Sequence, residues 1–208
     1  MTGSAQRIGV YGASGSGKST KARELIVGVT RLVRFDPFAE GARGAVQTDA
    51  RGFRAALAKN WNAGFNINVV PSYGHEMADL HAISTAIRDA QVQTGARAPI
   101  TFLAEEINTA FPVTALPAQY PGFGELCSRG RHFNVNIIGV SQRIAEVNTR
   151  WRGNTSCFYV FRQGDARDVQ AATAMLPPGW RNAVTQLQNF EYLFVNAGHV
   201  TRGKVKRR

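Results

Sequence analysis

No part of this chain limits what it can fold into as strongly as Gly12-Ala-Ser-Gly-Ser-Gly-Lys18-Ser19. Polyphosphate carries dense negative charge, and a loop binds it by turning successive backbone N–H groups inward, a curvature that needs glycine at set positions. Gly12, Gly15 and Gly17 supply those positions, with Ala13, Ser14 and Ser16 between them. Lys18 is then spaced to reach the outer phosphates, Ser19 to offer a hydroxyl to Mg²⁺, and Thr20 to close the cradle. The flanks agree with this reading. Arg7 to Tyr11 reads as a short buried strand, and Thr20 to Val29 as a helix with Leu25, Ile26 and Val29 on one face. A strand, a glycine loop and a helix in succession are the context in which such a loop holds a nucleoside triphosphate rather than making a plain turn.

Further strands and helices alternate along the chain. Arg31 to Phe35 is a strand stopped by Asp36-Pro37, and Phe65 to Val70 is another that ends at Pro71. Asp79 to Gln93 has Leu80, Ile83 and Ile87 at helical spacing. Pro99 to Ala104, Val135 to Val140 and Ser156 to Phe161 read as strands, Phe123 to Arg131 and Asp165 to Met175 as helices. Phe190 to Val195 and His199 to Val205, split by Asn196-Ala-Gly198, form a closing hairpin. The expected fold is α/β, a mainly parallel sheet with helices on both faces and a C-terminal hairpin, with ligands at the strands' carboxyl ends. Residues 1–208 are expected to make a single domain with a basic tail over about 202–208.

A loop that binds triphosphate needs a second half: an acid on the metal side and a base that orients water. Glu105 and Glu106 end the strand Ile100 to Ala104, which places Glu105 with Ser19 as the metal-side pair and Glu106 as the water-polarising base. The metal-side acid is more often Asp, so the assignment between the two glutamates stays open. ATP and Mg²⁺ are the implied ligands.

Charge adds a partner. Against 14 acids stand 25 Lys and Arg, a net +11, with Arg202, Lys204, Lys206, Arg207 and Arg208 crowding the end. Such a field favours polyanions, nucleic acid first. Arg43, Arg51, Arg54 and Lys59 are further candidates to face DNA, although Phe53, Leu57 and Trp61 at helical spacing among them read as a core face. Cys127 and Cys157 lie in apolar stretches, which points to a reducing, cytoplasmic setting. His75 and His81 lack metal-ligand spacing, so no zinc is expected. Pro112, Pro117 and Pro121 make an irregular loop after the glutamates. No stretch reaches the ~20 apolar residues of a membrane span.

Three further stretches resemble the FtsK–HerA superfamily of P-loop ATPases (RecA/ASCE-like), above all the genome-packaging ATPases of tectivirus-like, membrane-containing viruses. They are Val33-Arg-Phe-Asp36-Pro37, Arg129-Gly-Arg131-His132 before a strand closing on Ser141-Gln142-Arg143, and Asn154 before a strand ending at Arg162. The resemblance implies that Gln142 reads the γ-phosphate from a strand between the loop strand and the acidic strand. It implies a ring, usually a hexamer, in which a neighbour's arginine completes the site, with Arg131 and Arg162 the best-placed candidates and Arg143 and Arg152 behind them. It further implies a DNA translocase that packages double-stranded viral DNA into a preformed capsid, working with capsid or packaging-vertex proteins in the host cytoplasm or on the virion. Two alternatives share the loop: a small P-loop kinase, and a Zot-like phage assembly ATPase.

Overall fold

The computed structural model describes residues 5–40 and 45–206. Arg43, Arg207 and Arg208 lie outside the described residues. Nine strands form one sheet in the order β3-β4-β2-β5-β6-β1-β7-β8-β9. In chain order they are β1 (Arg7–Tyr11), β2 (Arg31–Phe35), β3 (Ala45–Gln47), β4 (Phe65–Val69), β5 (Ile100–Ala104), β6 (Val135–Ser141), β7 (Cys157–Phe161), β8 (Glu191–Asn196) and β9 (His199–Lys204). The pairs from β3 across to β7 are parallel, and β8 and β9 add an antiparallel hairpin at one edge. Helices α1 (Lys18–Leu25), α2 (Ala50–Asn60), α3 (Glu76–Gln93), α4 (Ile107–Ala110), α5 (Gly122–Arg129), α6 (Thr149–Asn154) and α7 (Ala166–Ala174) connect them.

The central strands are apolar throughout because both faces are covered. Along β5, Phe102 and Ala104 face one core while Leu103 faces the other, the two-residue period of a strand. The cover is lopsided. One face carries α2, α3, α5, α6 and α7 through Phe53, Leu80, Phe123, Trp151 and Ala172. Among the described residues α1 is the one helix that covers the opposite core, through Ala22 and Leu25, and Phe190 and Val205 join it over Val10, Leu103, Ile138 and Val140. On the crowded side Phe123 meets Phe102 edge-on at 5.9 Å and Phe111 at 5.0 Å. Such pairs add about 0.5–1.5 kcal/mol each beyond their burial.

Several elements depart from expectation. α1 starts at Lys18 and stops at Leu25, because Gly28 turns the chain at φ 77°. α3 begins at Glu76, three residues ahead of the apolar pattern, as polar residues make its first turn. The run of arginines and alanines before Trp61 holds the edge strand β3 and then α2, capped by Asp49, whose carboxylate accepts from the Gly52 N–H at 2.7 Å. Phe53 and Leu57 are buried as a core face requires, while Trp61 is half-buried. Residues 202–204 belong to β9, and Val205 is buried, so the chain is still packed where a basic tail is expected to begin.

Candidate active site

Strand order brings the predicted residues together. β6 lies between β5 and β1, so the carboxyl ends of these three strands present Glu105-Glu106, Ser141-Gln142 and the phosphate loop side by side. The loop demands its glycines. A Cβ on Gly12 would sit 2.6 Å from Phe161 Cβ and 2.7 Å from Ser16 Oγ, and Gly17 holds φ 110° as it enters α1. The Gly12 N–H donates to the Ser141 carbonyl at 3.2 Å and the Ala13 N–H to that of Arg162 at 2.8 Å, which ties the loop to the strands on either side.

Lys18 is buried, and its ammonium donates to the Ala13 carbonyl at 3.1 Å. Burial lowers its pKa, opposed by the nearby Glu106, Glu105 and Glu40. Glu105 is pushed up to about 7, first by burial and then by Asp36 and Glu106, with Arg34 and Lys18 pulling the other way. Three carboxylates crowded around one lysine leave negative charge that a hard, oxygen-loving cation relieves. Glu105 and the exposed Ser19 hydroxyl at the start of α1 are the donors suited to Mg²⁺. Among the described residues no group of three or more His, Cys, Asp or Glu side chains builds a metal cage by itself.

Glu106 sits in a left-handed conformation, φ 44° and ψ 50°, uncommon for a residue with a side chain. That twist turns its carboxylate toward β6. Gln142 Nε2 donates to Glu106 Oε1 at 2.9 Å, and the Gln142 backbone N–H to Oε2 at 3.2 Å. Both carboxylate oxygens are therefore held by one residue. Ser141 Oγ donates to Asn108 Oδ1 at 2.7 Å and accepts from the Arg143 N–H at 3.0 Å, fixing the end of β6.

The arginines separate. Arg162 lies beside its own phosphate loop, its Nε donating to Asn189 Oδ1 at 2.8 Å. Arg131 is exposed in the turn before β6, at the opposite end of the sheet from its own loop. Arg143 is engaged by Asp168 at 2.8 Å, Glu146 at 3.3 Å and Asp165 at 3.7 Å. Arg152 is half-buried in α6. Arg51, Arg54 and Lys59 are exposed along α2. Sequence reasoning missed Asn108, Asp168 and the contact of Phe190, whose N–H donates to the Ser16 carbonyl at 2.7 Å.

Among solved structures, the genome packaging NTPase B204 of Sulfolobus turreted icosahedral virus 2, in complex with AMPPCP, matches with a TM-score of 0.75 at 12% identity, over 96% of this chain and 97% of that one. The fold is that of the FtsK–HerA-type ATPases. VirB4 of Thermoanaerobacter pseudethanolicus shares this FtsK–HerA fold with a TM-score of 0.69 at 11% identity, over 100% of this chain and 91% of that one. EssC (ATPases 2 and 3) of Geobacillus thermodenitrificans shares it with a TM-score of 0.60 at 10% identity, over 95% of this chain and 39% of that one. No protein-family model and no curated protein sequence matches the chain. Among the described residues no helix is long and apolar enough to cross a membrane.

Proposed function

We propose that the chain is a Mg²⁺-dependent ATPase whose hydrolysis drives double-stranded DNA into a viral capsid. The observation that carries this reading is the pairing of Glu106 with Gln142 beside Lys18 and the phosphate loop, a water-attack site rather than a phosphate-binding loop alone. Likeness over nearly the whole length of a genome packaging NTPase supports the packaging role.

In this reading Gly12 to Thr20 cradle the triphosphate, with Lys18 on its outer phosphates. When bound, Mg²⁺ held by Ser19 and Glu105 offsets the charge that builds on the phosphates. Glu106 takes a proton from the water that attacks the terminal phosphorus, and the bond to the leaving diphosphate oxygen breaks. Gln142 donates a hydrogen bond to each oxygen of Glu106. Each carboxylate oxygen keeps a further lone pair, so Glu106 can receive that proton while Gln142 holds its carboxylate in orientation.

A ring, most simply a hexamer, supplies the arginine that the site takes in trans. Arg131 suits that role, because it stands at the far end of the sheet from its own loop and can serve only a neighbour's. Arg162 flanks its own loop and fits a role within the subunit. Capsid or packaging-vertex proteins then anchor the ring, in the host cytoplasm or on the virion.

Hydrolysis assayed with and without duplex DNA tests the proposal. ATP turnover that needs Mg²⁺ and rises with DNA is expected. Transfer of the γ-phosphate to a small acceptor in place of water would favour the kinase reading instead.

A further inference from the structure

β2, β5, β6, β1 and β7 lie side by side and run the same way, so their amino ends share one edge of the molecule, opposite the phosphate loop. Every one of them is entered through arginine. Arg31 opens β2, Arg97 precedes β5, Arg129 and Arg131 precede β6, Arg7 opens β1 and Arg152 precedes β7. The segments 5–7, 29–31, 94–99, 129–134 and 150–156 contain no Asp or Glu. At the other end Asp36, Glu105, Glu106, Glu146, Asp165 and Asp168 all follow strand carboxyl ends.

The arginine-bearing turns are held in place. Buried Gln91 donates from Nε2 to the Ala98 carbonyl at 2.9 Å and the Asn134 carbonyl at 3.1 Å, and Asn134 Nδ2 donates to the Ala96 carbonyl at 3.0 Å. These bonds join the turn carrying Arg97 to the turn carrying Arg131. Arg31 lies 5.0 Å from the Trp61 ring centre and donates from Nη2 to the Trp61 carbonyl at 2.9 Å. Arg7 donates from Nε to the Asn154 carbonyl at 2.6 Å. Arg97, Arg129 and Arg131 are exposed and make no ion pair among the described residues. Between Arg31 and Arg97 opens a cleft of about 730 Å³, lined also by Trp61, Asn62, Gln93 and Thr94, with no acid in its wall.

A simpler cause explains part of this pattern. The carboxyl ends of helices carry partial negative charge and favour a nearby cation by ~0.3–1 kcal/mol. Arg129, in the last turn of α5, answers to that. So do Arg31, which donates to the carbonyl of Trp61 at the end of α2, and Arg7, which donates to that of Asn154 at the end of α6. Arg97, which lies beyond the Thr94 cap of α3, does not.

We propose that this arginine edge, Arg131 apart, is where the chain docks on the phosphate backbone of duplex DNA. Neighbouring strands are ~4.8 Å apart, so the four spacings from β2 to β7 cover about 19 Å. Over that length of helix axis one DNA strand passes about five or six phosphates, at ~3.4 Å of rise each, while winding about half a turn, so only some of them face the edge. Guanidinium forks match phosphate oxygens, and such contacts position DNA without reading its bases. The inference rests on the reading of this chain as a DNA-driving ATPase. It places DNA at the end of the sheet away from the chain's own phosphate loop, with β5 and β6 running from one end to the other.

The test uses the full chain and a fluorescein-labelled blunt duplex of mixed sequence, with binding followed by anisotropy from about 50 to 200 mM salt. Arg97→Ala/Arg129→Ala is compared with Arg51→Ala/Arg167→Ala, which removes the same charge from exposed positions in the first turns of α2 and α7, at the opposite end. The Arg97/Arg129 variant is expected to bind at least about tenfold more weakly, with the slope of log affinity against log salt reduced by about 2. Its melting temperature and DNA-free hydrolysis are expected to match wild type, while stimulation by DNA falls. An unchanged slope, or an equal loss in the Arg51/Arg167 variant, overturns the proposal. So does a loss of DNA-free hydrolysis with duplex binding intact, since the arginines would then serve a neighbour's nucleotide. A wild type that hydrolyses ATP yet binds no duplex ends this proposal and leaves the ATPase reading standing. A wild type that binds duplex through these arginines without hydrolysis does the reverse.

Discussion

At the carboxyl end of the sheet, charges are packed together out of water, so that burial and the neighbouring Asp36 push Glu105 up to about 7. At the amino end Arg97 and Arg129 stand in solvent, in segments that carry no carboxylate. Desolvated like charges cost free energy until a ligand compensates them, whereas exposed like charges cost little and project a field. The first arrangement suits a site that binds one small ligand tightly and acts on it. The second suits a surface that grips a long polyanion weakly at many points and lets it move.

The contrast can be broken from either end. Lys18→Ala is expected to have the largest effect, lowering hydrolysis by about 10³-fold or more, because no other described lysine stands among these carboxylates. Steady-state phosphate release measures it, and near-normal turnover would place the catalytic cation elsewhere. Glu105 comes next. Its folded pKa lies above that of the unfolded chain, so its contribution to folding is full below the usual glutamate range and is lost as pH rises through about 7. Nucleotide-free Glu105→Gln should therefore escape a fall in stability on the order of 3 kcal/mol between about pH 4 and 8. Urea unfolding at both pH values decides this, and parallel pH profiles for the two proteins would remove the crowding from the account.

Gln142→Ala should lower kcat by about 10²-fold while KM changes less, since the loss falls on the reacting phosphate. An unchanged kcat would show that the Gln142 amide plays no part in turnover. Smallest of all, Arg97→Ala/Arg129→Ala should shift stability by no more than about 1 kcal/mol, the most that an exposed cation at a helix end contributes. Thermal melting checks this, and a larger loss would make the amino end a structural feature.

The two ends were not equally legible in the sequence. At the carboxyl end every signal is local: Gly12 to Ser19, Glu105-Glu106 and Gln142 each follow an apolar run, and β1, β5 and β6 read as strands because they are buried on both faces. The amino end is a tertiary property. Arg7, Arg31, Arg97 and Arg129 are scattered singly along the chain, and only the strand order sets them in a row. The same reason hid Phe190 against the phosphate loop and Asp168 against Arg143. β3 escaped because three edge residues show no period, and α4 and α6 because one or two turns are too short to display a face. The twist at Glu106 was likewise invisible, since it depends on Gln142 across the neighbouring strand.

Glu106→Gln assayed beside wild type is the most direct test of the central claim that this end of the sheet activates water. Wild type should hydrolyse ATP with Mg²⁺, and the variant should still bind nucleotide while turnover falls by about 10²–10⁴-fold. Turnover by Glu106→Gln at the wild-type rate would contradict the account.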